Sequence, residues 1–542
     1  FWDDALGALD ARGPDALPAL QRKSLVQQRP TSAFDDTAEE AFQHHLLHQV
    51  SYDTVLKPQK REAHARAAAW LTHRAGDRGD EYLGLTAEHF ERSGQALLAA
   101  DWFERASTKA TQRGAYKAAL QYLDRAEVQA AQAPEGRALE QTAEATKNRA
   151  ALSHILNLGP QHEQALDRML ALGETHDQPS WVAYALAGQT LLAYRLGDVE
   201  KAATAARRGV EVAQRADCAY SAVCCLGNLA YMALDRRDLN AARPHLAAAM
   251  QWALRAREHM QKPDGGMQEA KVLLMQAELH AEEHDHQART TAVMRALSIA
   301  RELHSPWLQG NCLDTLTDLA LARVDFAEAA VHIDAGERLF AEYAMPYYVA
   351  LAQAQRARLH LHSGQWDAAA HEAAAASVGL LAAGDVRNEL LNRNVGAEAL
   401  WRGGRADEAV ATWEQTAVAW KDMSDELEAR ASRLRLAEAQ SCSGHLEDIE
   451  MARQAVQAEM PALQARDALA GAEFALAARL AGWRVLHRAG DPAAAGQLAL
   501  AAAELEQVLG TFSDPEVRER VRHTVPWHRD VVEALAQSNA AA

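Results

Sequence analysis

Cysteine is scarce in this chain, five in 542 residues, and no two stand as a CxxC pair. That excludes a disulfide framework. It leaves Cys218, Cys224, Cys225, Cys312 and Cys442 to be read as small buried hydrophobes in a reducing compartment. Fifteen prolines and 6% aromatics leave little room for a large sheet. Basic residues are in deficit, 56 Lys and Arg against 74 Asp and Glu, for a net charge of −18. Phosphate binding over a wide surface needs a basic face, so broad nucleic-acid contact is excluded, while solubility and a basic partner suit the balance. No apolar run approaches the roughly 20 residues that cross a bilayer, and no signal peptide stands at the start. The expected location is cytoplasmic, with no membrane contact. The opening at Phe1-Trp2, without Met, reads as a fragment of something longer.

Catalytic and ligand motifs are missing too. There is no G-x-x-x-x-G-K-[ST], so this chain holds no Walker-type phosphate cradle. No Ser/His/Asp set or carboxylate pair stands out, and 23 histidines make chance pairs easy. His280, His284 and His286 lie among Glu282, Glu283 and Asp285 at a spacing zinc could use, but they fall in a turn between helices. We read them as a solvated polar turn, with no metal and no cofactor in this chain. Gly403-Gly404, after Arg402, ends a helix rather than following a strand, as a C-cap does.

What is present is Ala, Leu, Glu, Arg and Gln, all good helix formers, and a repeat. Four phrases between Gly310 and Ile449 begin at positions 324, 364, 404 and 444, a step of 40. They are Val324-Asp325-Phe326-Ala327-Glu328-Ala329, Gly364-Gln365-Trp366-Asp367-Ala368-Ala369, Gly404-Arg405-Ala406-Asp407-Glu408-Ala409 and Gly444-His445-Leu446-Glu447-Asp448-Ile449. Each follows one apolar helical stretch and opens another. Gly breaks the helix in three copies and Val324 stands in the fourth. Phe326, Trp366 and Leu446 can staple the next helix, and Ala329, Ala369 and Ala409 let two helices approach. Looser copies stand at Gly159-Pro160, Gly197-Asp198, Arg237-Asp238, His284-Asp285 and Gly490-Asp491. Between them we expect a loop at Lys262-Pro263-Asp264-Gly265-Gly266 and an insertion around Pro461.

The pattern resembles the tetratricopeptide repeat, with a Gly-acidic-aromatic turn before a small-residue helix. Its period exceeds the usual 34, so helices about one turn longer are expected. The fold class this implies is all-α: a right-handed α-solenoid of long tetratricopeptide-like helical hairpins, with a small winged-helix-like module at the N-terminus. No copy buries its apolar face alone; stacking makes one continuous core. The expected divisions are 1–75 for the winged-helix-like module, 76–138 for a helical junction, 139–510 for the repeat array and 511–542 for capping helices. In the junction, Gly94 and Gly114 each precede a small-residue helix, only 20 apart, with Ala99, Phe103 and Ala106 on the first and Ala119, Leu123 and Ala126 on the second. A break is expected at Gln132 to Gly136 around Pro134.

Residues 1–75 read as a helix from Asp15 to Ser24, a hairpin from Leu25–Pro30 and Ala41–His44, a helix from Leu46 to Leu56, and a further helix begun by Pro58. Within them, Phe42-Gln43-His44-His45-Leu46-Leu47-His48-Gln49-Val50-Ser51-Tyr52, followed by Lys60-Arg61-Glu62-Ala63-His64, resembles the end of the ATPase module of STAND-type signal-transduction ATPases. More narrowly it is similar to those joined to class III adenylate/guanylate cyclase domains. Gln43 and His48 stand where that family carries Arg. The resemblance covers about residues 1–130 and implies ATP and Mg only in a domain upstream, in cis. It maps nucleotide sensing onto His44.

In tetratricopeptide arrays the first helix of each pair lines the concave groove. On those helices lie Tyr194, Arg195, Tyr231, Asp314, Asp318, Arg358, Asn394, Glu398 and Trp401, a polar and aromatic stripe suited to a protein, peptide or small-molecule partner. The resulting expectation is a non-catalytic, bacterial regulatory module that controls an upstream ATPase and a nucleotide cyclase. The alternative is the repeat domain of an ATP-dependent transcription regulator resembling the LuxR/maltose-activator type. The chain's last helix, ending Glu533-Ala534-Leu535-Ala536, offers no basic recognition helix for that role.

Overall fold

Left-handed backbone conformations set the rhythm of the fold. Asn157, Asp177, Gly197, Asp217 and Arg237 have positive φ, then His284, His304, Val324, Ala344, Gly364, Gly384 and Gly404. Within each run the spacing is 20, half the repeat visible in the sequence. Each interval holds a helix of 17 residues and a three-residue connection. The left-handed residue bends the chain so that the next N–H reaches back to close the helix, as Asp198 N does to Ala193 O (2.9 Å) and Asp325 N to Ala320 O (2.9 Å). The same aspartate then caps the following helix. Asp198, Asp285, Asp325, Asp385 and Asp425 each accept, through the side chain, from the N–H three residues on. One residue thus ends one helix and begins the next.

The computed structural model describes every residue except 35, 75–81, 133–137, 260–263, 424, 443–444, 466–467 and 542. The expected turn residue Gly444, the break at Pro134 and the loop residues Lys262 and Pro263 lie outside the described residues. The chain divides into two units, Phe1–Leu152 and Ser153–Ala542.

The first unit holds α1 (Asp3–Leu9), α2 (Gly13–Arg22), β1 (Val26–Gln28), β2 (Glu40–Phe42), α3 (His45–Thr54), α4 (Lys57–Arg74), α5 (Leu83–Ser93), α6 (Ala96–Gln112), α7 (Tyr116–Ala130) and most of α8 (Leu139–Ile155). The two strands pair antiparallel with Val26 opposite Phe42 and Gln28 opposite Glu40. Ala99, Phe103, Ala106, Ala119, Leu123 and Ala126 are all buried where α5, α6 and α7 stack.

The second unit runs α9 (Gly159–Thr175), α10 (Pro179–Arg195), α11 (Val199–Arg215), α12 (Ala219–Asp235), α13 (Leu239–His259), α14 (Asp264–Glu282), α15 (His286–Glu302), α16 (Pro306–Ala322), α17 (Phe326–Glu342), α18 (Pro346–His362), α19 (Trp366–Ala382), α20 (Val386–Arg402), α21 (Ala406–Asp422), α22 (Glu426–Ser441), α23 (Leu446–Leu463), α24 (Ala475–Arg488) and α25 (Ala494–Gly510). It ends with α26 (Pro515–Thr524) and α27 (Pro526–Ala541). This is an all-α solenoid of tetratricopeptide-like hairpins, each helix packing on the next in sequence. The small residues do the work assigned to them: Ala329, Ala369 and Ala409 are fully buried between helices.

Several local expectations need correction. Gly265 and Gly266 are not loop; they lie in the first turn of α14. Gly159-Pro160 opens α9, where proline's missing N–H is harmless, and the turn itself is at Asn157. Cys442 is exposed rather than buried. His286 is not solvated turn: its ring stacks on Phe512, centroids 4.7 Å apart.

Candidate functional site

Among the array's helices, contacts between alternate elements run α10 to α12, α14, α16, α18 and α20. These helices therefore line the inner side of the curve. The curve is tight enough for successive coils to meet. Asn157 Nδ2 donates to Ala383 O at 2.9 Å, 226 residues away. A Cβ on Gly197 would lie 3.6 Å from Met423 Cε, and one on Gly471 would lie 3.4 Å from Arg237 Nε. Further on, His286 Nε2 is 3.2 Å from Thr511 Oγ1, and Arg520 donates twice to Arg323 O. The concave side is accordingly a walled hollow instead of an open groove.

One part of the hollow is aromatic and basic. Tyr184 stacks on Tyr220 (5.2 Å). The Lys271 ammonium lies 5.0 Å from the Tyr220 ring centroid and 5.6 Å from that of Trp307. Trp307 Nε1 donates to Tyr348 Oη at 2.6 Å. Burial, with His162 and Lys271 near, holds His154 well below the usual imidazole range, and burial holds His162 at about 4. Both rings are neutral at pH 7, so Lys271 and Arg195 are the local charges.

The next part is acidic. Gln355 Nε2 donates to Asp314 Oδ1 (2.8 Å) and to Asp318 Oδ1 (3.3 Å). Arg358 Nη1 donates to Asp318 (3.0 Å), and its Nε lies 3.0 Å from Glu473. Glu473 first, with Asp318 and Asp314, holds the Arg358 guanidinium charged. Water reaches Asp314, yet the surrounding protein raises its carboxyl above the usual range, and Asp318 one turn along adds like charge. Burial likewise raises Glu278 on α14.

The named residues thus fall into groups. Asp314, Asp318 and Arg358 converge through Gln355. Tyr194 donates to Asp235 at 2.5 Å, and Arg195 spans the coils, 3.6 Å from Asp385 and 5.3 Å from the Tyr347 ring centroid. Tyr231 faces Glu278 and Asp235, and burial followed by these charges raises its phenol. Asn394, Glu398 and Trp401 belong to the wall itself. Asn394 Nδ2 donates to Glu428 at 3.3 Å. Glu398, 1% exposed, accepts from Arg402 (2.7 Å) and Arg435 (2.9 Å). Trp401 packs toward Trp413, centroids 6.1 Å apart. In the other unit, His44 is exposed at the start of α3, and its side chain makes no capping hydrogen bond.

Sequence reasoning missed Lys271, Tyr220, Trp307, Tyr348, Gln355 and Glu278. The signal for one of them was available: Glu278 stands 40 residues before Asp318, on the same step that reaches Arg358 and Glu398. Among the described residues, no group of three or more His, Cys, Asp or Glu side chains is arranged to hold a metal. No described helix is long and apolar enough to cross a membrane.

No protein-family model matches the chain, and no curated protein matches it. Solved structures similar to it include a Rap protein complexed with competence and sporulation factor (10% identity, 69% of this chain and 100% of that one, TM-score 0.48). Another is a signal transduction ATPase with numerous domains, carrying a tetratricopeptide repeat sensor, from Pyrococcus horikoshii (12%, 84% of this chain and 60% of that one, TM-score 0.40). A third is the Cut9–Hcn1 assembly of the APC/C (12%, 96% of each chain, TM-score 0.47). Identities near a tenth and TM-scores below 0.5 do not decide between functions.

Proposed function

We propose that this chain is a non-catalytic sensor module. Its hollow receives a protein, peptide or small-molecule partner, and the change passes to an ATPase upstream in the same protein, with a nucleotide cyclase as effector. The observation that carries partner binding is an inner wall whose charges are incompletely matched. Lys271 has aromatic faces but no carboxylate within ion-pair reach among the described residues, and Asp314 has an amide donor but no close cation. A polar ligand that supplies both satisfies groups the wall leaves open.

The ATPase and the cyclase rest on the resemblance at Phe42–His64. Coupling requires a ligand that favours one curvature of the array over another. The contacts that would be made or broken are those between coils, at Asn157 with Ala383 and at His286 with Phe512.

The test joins the chain to its native upstream sequence and measures ATP turnover with and without a bound partner. We expect the partner to change turnover and the double substitution Lys271→Ala, Asp314→Ala to abolish the response. Turnover indifferent to the partner in the unsubstituted protein would overturn the proposal.

A further inference from the structure

A shallow cleft open to solvent lies off the acidic part of the hollow between α16, α17 and α18. Gly310 and Gly336 form part of its lining; the Phe340 ring packs directly on Gly310, where a Cβ would fall 1.9 Å from Phe340 Cζ, while a Cβ on Gly336 would stay 4.0 Å from its nearest neighbours. Phe340 and Tyr348 supply aromatic faces, ring centroids 5.1 Å apart. Asp314 and Gln355 line one side, and His332 another, its Nε2 3.7 Å from Glu328 Oε1.

Asp314 is the carboxylate here that makes no ion pair; the nearest cation acting on it, Arg358, is paired elsewhere. Arg358 serves Asp318 at 3.0 Å and Glu473 at 3.0 Å. Arg289 lies 3.5 Å from Glu278 and 3.8 Å from Asp318. Among the described residues, no Lys or Arg side chain lies within ion-pair reach of Asp314, whose hydrogen bond comes from the neutral amide of Gln355 at 2.8 Å.

We propose that this cleft takes the cationic side chain, Lys or Arg, of a basic peptide segment lying along the hollow. The inference rests on the hollow being the partner site. Three features favour this occupant. A cation supplies Asp314 with the counter-charge it lacks and relieves its repulsion with Asp318 one turn along. Aromatic faces such as those of Phe340 and Tyr348 attract a cation directly. A net charge of −18 on the chain steers a basic segment toward it.

Proton linkage follows. Burial and Asp318 raise the Asp314 carboxyl, so an entering cation replaces a proton, and binding weakens as pH falls. The groups facing Asp314 are Asp318 on its own helix, Glu278 on α14, Arg289 on α15, His332 on α17, and Gln355 and Arg358 on α18, with Glu473 before α24.

The test pans a phage-displayed random peptide library on the full chain and on Asp314→Asn, which keeps the side chain's shape and its acceptor for Gln355. Circular dichroism confirms that the variant folds. We expect peptides with Lys or Arg fixed at one position on the unsubstituted chain. One such synthetic peptide should bind Asp314→Asn roughly tenfold more weakly or worse, and its affinity for the unsubstituted chain should fall between pH 8 and pH 5. Enrichment without a basic preference, or equal affinity for Asp314→Asn, overturns the cleft while leaving the hollow as partner site. Absence of any enriched peptide on the unsubstituted chain overturns both.

Discussion

The side-chain amide of Asn157 donates to the backbone carbonyl of Ala383 at 2.9 Å, joining residues 226 apart in sequence. Asn157 is itself in the left-handed conformation (φ 54°), which asparagine tolerates better than most residues. Replacement by glycine keeps that conformation and deletes only the side chain. Asn157→Gly should therefore cost about 1 kcal/mol, the worth of one part-buried hydrogen bond. It should also speed amide exchange around residues 380–388 relative to the rest of the array. Exchange measured by mass spectrometry checks this; unchanged protection there would show that the contact does not hold the coils.

Glu398 looks from sequence like a groove residue, yet it neutralises Arg402 and Arg435 inside the wall, and Arg402 also binds Asp530 of α27 at 3.0 Å. Burial alone would raise its carboxyl, but Arg435 and Arg402 overcome that and hold it below the usual range. A depressed carboxyl contributes stability that is present above its ordinary value of 4.5 and lost as pH falls through the folded value. Glu398→Ala leaves two buried guanidiniums short of a counter-charge and should destabilise the second unit by about 3–5 kcal/mol. Thermal unfolding checks it. A change below about 1 kcal/mol would mean that the network is not closed as described.

Glu428 behaves oppositely. Burial pushes its carboxyl up to about 7, offset only in part by the hydrogen bond from Glu473 N. Between 4.5 and about 7 the folded chain holds a proton that the unfolded chain releases. Its contribution to stability therefore declines as pH rises across that window, and the penalty is full above it. Glu428→Gln removes the penalty and offers an amide donor to Asn394 Oδ1, which now has no partner. The variant should be more stable than the parent at pH 8, by up to about 3 kcal/mol, and nearly equal at pH 5. Unfolding midpoints at the two pH values decide it.

The array was legible because its turns repeat. Gly364 and Gly404 mark left-handed positions that glycine occupies without strain. Of the alternate turns, Gly384 carries glycine, but Asp177, Asp217, His304 and Ala344 hold the same conformation without it, so only one turn of each 40-residue pair stood out. Val324 was visible only by register; it keeps a β-branched side chain at φ 59° and is buried in the same apolar cluster as Ala357 and Leu361. The candidate site was legible in part. Asp318, Arg358 and Glu398 fall on the inner helices at the repeat interval, but the pattern does not say that Arg358 meets Glu473 or that Glu398 meets Arg435. Those pairings depend on neighbouring repeats and on the insertion before α24. Closure of the coil depends on small rotations summed over five repeats, which no local signal encodes.

The central claim is that the array closes on itself and makes a hollow. The most direct measurement is the distance between spin labels at Gly197 and Met423 in a Cys442→Ser background, by pulsed electron resonance. A Cβ placed on Gly197 would lie 3.6 Å from Met423 Cε, so the labels should lie within about 20 Å, two nitroxide linkers apart. An open curve, with five inner helices between them each spaced roughly 8–10 Å, would place the labels some 40–50 Å apart. That result would contradict the closed coil.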